Sequence, residues 1–143
     1  MQYALEKREN KMILKVLKIE TWIGDATNCY IVQDEKSKET MVIDAAGDVD
    51  KIIEMLDILQ AKLKYIYLTH CHGDHIGGVQ ELKERYGGKI VAQRQAAENL
   101  KDPNVNLTTY IGNKGLSIET DARVDDEDLL HLGELEFRVI HTP

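Results

Sequence analysis

Three imidazoles and one carboxylate fall within six consecutive residues, His70-Cys71-His72-Gly73-Asp74-His75, in a chain with only 5 histidines. So dense a set of metal-type donors restricts the fold. It needs a rigid element to carry it and an open edge where side chains can converge. The flanks supply both. Residues 64–69, from Lys64 to Thr69, read as a β-strand, and Ile76-Gly77-Gly78 forms a flexible exit into a helix. Neutral imidazole and carboxylate both suit zinc, with iron or manganese as alternatives. The H-x-H spacing in extended backbone points His70 and His72 to one side, so they can share an ion. Asp74 and His75 lie where the chain turns and can serve a second ion. Two ions about 3.5–4 Å apart can share a hydroxide and polarise a substrate oxygen.

The remaining pattern fits a sheet with helices packed on one face. Residues 12–19, 28–32 and 40–44 are strand-like, with Lys36-Ser37-Lys38 as a hairpin loop between the second and third, so the early chain reads as a meander. Ile52, Leu56, Leu59 and Leu63 then recur at helical spacing, with Ile53 widening the stripe and Asp48 placed to cap. A helix is expected over Val79 to Tyr86, ended by Gly87-Gly88. A strand follows at 89–92 and a helix at 94–100. Residues 104–115 read as a loop, and the acidic stretch Glu119 to Asp128 as a solvated turn. Leu132-Gly133 joins the arms of a closing hairpin. Residues 1–11 read as an extension, and 12–143 as one domain.

The chain has 143 residues and a formal net charge of −7. An acidic chain repels nucleic acid and anionic membranes, so neither is an expected partner. Two cysteines, Cys29 and Cys71, are too few for a disulfide framework. No run reaches the roughly 20 apolar residues of a membrane helix, and the N-terminus lacks a signal-peptide pattern. A reduced cytoplasmic setting and a small-molecule substrate are therefore expected.

The segment Thr69-His70-Cys71-His72-Gly73-Asp74-His75 resembles the T-H-x-H-x-D-H signature of the metallo-β-lactamase superfamily. Its context is similar too: Asn28-Cys29-Tyr30 in an early strand, Val42-Ile43-Asp44 before the first helix, and His141-Thr142-Pro143, which resembles the start of the H-T-P-G-H-T segment of glyoxalase II-like members. The resemblance implies an α/β fold, the N-terminal portion of an αβ/βα sandwich with a mixed sheet and metals at its edge. It assigns His70 and His72 to metal one, Asp74 and His75 to metal two, and to Asp74 the orienting of the nucleophilic hydroxide. It implies a metal-dependent hydrolase, glyoxalase II-like, acting on a thioester such as S-hydroxyacylglutathione. A mono-iron persulfide dioxygenase, an RNA-processing nuclease of the same fold and a non-catalytic module are the alternatives.

In the family the ligand is the second histidine of H-T-P-G-H-T, beyond Pro143, so His141 is not expected in the metal shell. The bridging aspartate and final histidine of the family pattern are also absent. The expectation is therefore a truncated chain that binds metal weakly, turns over little by itself, and self-associates through an exposed sheet face. Cys71 is expected to point away from the metals, Cys29 to be buried, and His131 to be a strand or turn residue. Trp22 lines the cleft or sits in the core. Asp44 either sits below the metals or caps its strand end.

Overall fold

A computed structural model describes residues 11–20, 26–69, 76–106 and 117–141. Among the described residues eight strands and three helices follow one another: β1 (Met12–Glu20), β2 (Ala26–Asp34), β3 (Glu39–Ile43), α1 (Val49–Ile58), β4 (Lys62–Leu68), α2 (Val79–Tyr86), β5 (Lys89–Gln93), α3 (Arg94–Asn99), β6 (Ala122–Val124), β7 (Leu129–Leu132) and β8 (Leu135–Arg138). The first six strands form one sheet in sequence order, and β7 and β8 a separate two-stranded sheet. β1, β2 and β3 pair antiparallel, as the expected meander requires. β3, β4, β5 and β6 run parallel. Parallel neighbours need long crossovers, and the three helices provide them. The mixed sheet of the sequence reading is thus present.

Strand alternation sends side chains to two cores. On one face Ile31, Val42, Ile66, Leu68 and Ile90 pack with Ile52 and Leu56 of α1, Val79 and Leu82 of α2, and Ala97 of α3. On the other, Val32, Met41, Val91 and Val124 meet Leu130, Leu132 and Val139 of the closing hairpin and its flank. The helices cover the first face and the hairpin only part of the second. Met12, Leu14 and Val16, at alternate positions of β1, remain 48%, 51% and 52% exposed. Val16 lies across from Tyr30 and Leu14 from Val32, which places the stripe on the hairpin's side of the sheet.

Four sequence expectations are corrected. Leu63 does not continue the helical stripe. Gln60 takes a left-handed φ of 50°, the helix has ended at Ile58, and Leu63 lies on β4. Asp48 occupies the cap position of α1, but its side chain makes no capping hydrogen bond. The acidic stretch 119–128 is not all turn, because Ala122–Val124 pairs with β5 as the sixth strand. The helix expected over 94–100 ends at Asn99, with Leu100 as its cap. By contrast α2 has the expected bounds and ends on Gly87 at φ 75°, which a residue without Cβ adopts at no steric cost.

Candidate metal centre

His70, His72, Asp74 and His75 lie outside the described residues, as do Cys71, Trp22 and residues 107–116. What the structure shows is the frame on either side of the ligand segment. The four parallel strands end along one edge, the place where open α/β sheets bind ligands. Asp44 follows β3, Thr69 follows β4, and Gln93 closes β5. His70 is the next residue after Thr69.

Both flanks of the segment 70–75 are held by the turn after β3. Asp44 Oδ1 accepts the Thr69 backbone N–H at 2.8 Å, and Oδ2 accepts the Thr69 hydroxyl at 2.5 Å. Beyond the segment, Gly78 N–H donates to the Ala45 carbonyl at 2.7 Å. A Cβ on Gly78 would stand 2.5 Å from Val49 Cγ1 and 2.9 Å from the Gly47 carbonyl oxygen. Only glycine allows that approach, and the fully buried Ile76 anchors the same flank. Asp44 is itself 4% exposed and takes a left-handed φ of 60°. A non-glycine residue accepts that conformation at some cost in backbone energy. Of the two alternatives for Asp44, a place below the metals falls on residues outside those described; the hydrogen bonds show it holding the end of β4 at Thr69.

The buried carboxylate shapes its neighbours. Burial, and then the Asp44 charge, push the Cys29 thiol up to about 12. The same two causes raise the Tyr67 phenol above its ordinary value. Both groups are therefore protonated at neutral pH. Cys29 is buried, as expected, and His131 lies on β7.

Beside Thr69 a cleft of about 370 Å³ opens between the sheet and the hairpin. Met41, Ile43, Leu130, Phe137 and Val139 give it apolar walls, while Tyr67, Gln93, Arg138 and His141 bring polar groups. His141 thus borders the site, and its backbone N–H donates to Asp126 at 2.8 Å. The sequence reading missed Gln93, because glutamine is not a favoured helix cap. It missed the Ala45–Gly78 bond because the contact is made by backbone alone.

The donor chemistry of the segment fits zinc, for which three imidazoles and a carboxylate are ordinary ligands. Among the described residues there is no other group of three or more His, Cys, Asp or Glu suited to a metal ion. No helix among them is long and apolar enough to cross a membrane.

Comparison with known proteins gives the following. The profile of the metallo-beta-lactamase superfamily matches residues 22–143. The hydroxyacylglutathione hydrolase of Rhodopseudomonas palustris (strain HaA2) is 34% identical over 114 residues, which are 80% of this chain and 38% of that protein. An uncharacterized protein of Aquifex aeolicus (strain VF5) is 33% identical over 133 residues, 92% of this chain and 60% of that one. The crystal structure of BLEG-1 B3 metallo-beta-lactamase superposes with a TM-score of 0.78 at 26% identity, over 92% of this chain and 62% of that one. The chain thus spans less than two thirds of the length of either relative.

Proposed function

The chain belongs to the metallo-beta-lactamase superfamily, and on that premise we propose that the protein carrying it is a metal-dependent hydrolase of thioesters, S-hydroxyacylglutathione being the type of substrate. The observation that carries this reading is the ligand segment itself. His70, His72, Asp74 and His75 are set directly after β4, with both flanks fixed by Asp44 and Ala45. The 34% identity to a hydroxyacylglutathione hydrolase supports the choice of thioester.

In this reading His70 and His72 hold one zinc ion, and Asp74 and His75 a second. Bound zinc lowers the pKa of water to about 7 and polarises a carbonyl. Asp44 fixes Thr69, the residue before His70 in the sequence. The apolar walls of the cleft offer a surface for the carbon chain of the acyl group. Overall, water adds its oxygen to the thioester carbonyl carbon, the C–S bond breaks, one of water's protons goes to the leaving thiolate and the other is released to solvent. The products are a carboxylate and a thiol.

The test is turnover of S-D-lactoylglutathione by the zinc-loaded full-length protein that carries this chain. His72→Ala removes metal and activity together if the reading holds. Turnover that persists after His72→Ala, or that is absent from zinc-loaded wild type, contradicts it.

A further inference from the structure

The cleft beside Thr69 has walls of one character and donors of another. Its sides are aliphatic and aromatic: Met41, Ile43, Leu130, Phe137 and Val139. Thr69, Arg138 and His141 also border it, and two neutral hydrogen-bond donors line it from adjacent parallel strands, Tyr67 on β4 and Gln93 at the end of β5. Tyr67 pairs in register with Val91, two residues before Gln93.

The orientation of the Gln93 amide is settled by its own hydrogen bonds. Oε1 accepts from the backbone N–H groups of Gln95 at 2.9 Å and Ala96 at 3.2 Å. Those donors are the free N–H groups of the first turn of α3, so the oxygen is committed to capping. The amide nitrogen, on the opposite side of the same planar group, has no hydrogen-bond partner among the described residues. It is a pre-positioned donor whose rotation is blocked by the cap. A site that is largely apolar with one or two fixed polar groups is the usual form of a small-molecule pocket, and about 370 Å³ lies at the small end of the usual range.

We propose that this cleft receives the acyl part of the substrate and that Gln93 Nε2, seconded by the Tyr67 hydroxyl, binds an oxygen carried on the acyl chain. This rests on the thioester reading above and adds a residue that sets specificity. The cleft includes Thr69, the residue before His70 in the sequence, so an acyl group lodged in it lies beside the strand end that the ligand segment follows. The aliphatic walls accommodate a short carbon chain. The two donors favour a hydroxyl or keto oxygen on that chain over a plain hydrocarbon. Both donors are half-buried, and a pair of donors that bonds the oxygen of one substrate and finds none on the other gives the discrimination.

The experiment compares S-D-lactoylglutathione with S-propionylglutathione, which differs by the hydroxyl alone, in zinc-loaded full-length wild type and Gln93→Glu. Glutamate keeps an oxygen for the α3 cap and removes the donor. Wild type is expected to favour the lactoyl thioester in kcat/KM, and the variant to lose at least tenfold of that ratio. An unchanged ratio overturns the assignment. If neither thioester is hydrolysed, the thioester reading fails and a second readout decides the present one. In ¹H–¹⁵N spectra of the wild-type protein, the Gln93 side-chain amide, identified by its loss in Gln93→Glu, shifts on titration with millimolar D-lactate and not with propionate. No shift with either acid, or the same shift with both, overturns the role of Gln93.

Discussion

Asp44 and Thr69 are 25 residues apart in sequence and joined by two hydrogen bonds, carboxylate to backbone N–H at 2.8 Å and carboxylate to hydroxyl at 2.5 Å. The pair converts the end of β4 into a fixed base for the residues that follow. Groups one step outside a metal shell commonly change affinity by about 10–100-fold when removed. Asp44→Ala should therefore weaken zinc binding by that order. Asp44→Asn, which keeps the acceptor for Thr69 N–H, should weaken it less. Competition with a chromophoric chelator measures both. Equal affinities in wild type and Asp44→Ala would show that the clamp does not organise the segment.

The second flank makes its own prediction. Gly78→Ala drives a methyl to within 2.5 Å of Val49 Cγ1 and 2.9 Å of backbone oxygen. Overpacking of this kind costs about 1–3 kcal/mol. Denaturant unfolding should report that loss, and zinc affinity should fall with it because the distal end of the ligand segment is displaced.

The closing hairpin is pinned at its tip. Gly133 N–H donates to Glu39 Oε1 at 2.5 Å, and Lys64 Nζ donates to the His131 carbonyl at 2.8 Å. Gly133 has a φ of 55°, and a Cβ there would stand 2.1 Å from Asp34 Oδ2. Gly133→Ala should lower stability by about 1–3 kcal/mol and raise amide exchange across β7 and β8 before the six-stranded sheet. Uniform exchange rates across both sheets would contradict a locally held hairpin.

Much of this frame was legible beforehand. The ends of α2 carry chemical punctuation in Gly78 and Gly87, and its expected bounds were met. The strand β6 carries none. Ala122, Arg123 and Val124 sit among six acids, and their neighbourhood is organised by distant partners: Lys83 to Asp121, Arg94 to Asp125 and Arg123 to Glu98. No local pattern announces such contacts. Leu63 misled for the opposite reason, since a strand residue happened to fall on a helical period. The ligand segment was legible as chemistry, because histidine and aspartate spacing is itself the signal. The grip on it was not, because half of that grip is the Ala45 carbonyl.

Cys29 gives a pH prediction. Its thiol is pushed up to about 12 in the fold, against about 8.5 in an unfolded chain. The fold favours the protonated thiol, so this contribution is fully present below about 8.5 and is lost as pH rises towards 12. Site-resolved alkylation at pH 8 should leave Cys29 unmodified in the native protein and label it after denaturation. Rapid native labelling would place the thiol outside the core.

Met12, Leu14 and Val16 expose a contiguous apolar stripe, a common mark of an interaction surface. We place self-association of the 143-residue chain there. Leu14→Lys with Val16→Lys should shift the sedimentation profile towards monomer. An unchanged profile would move the contact elsewhere.

Zinc content against His72→Ala is the most direct test of the account. In the full-length protein that carries this chain, dialysed wild type should retain zinc that a chelator removes only in competition, and the His72→Ala protein, folded by circular dichroism, should retain little or none. Equal retention by the two proteins would mean that imidazoles 70, 72 and 75 and carboxylate 74 do not hold the ion.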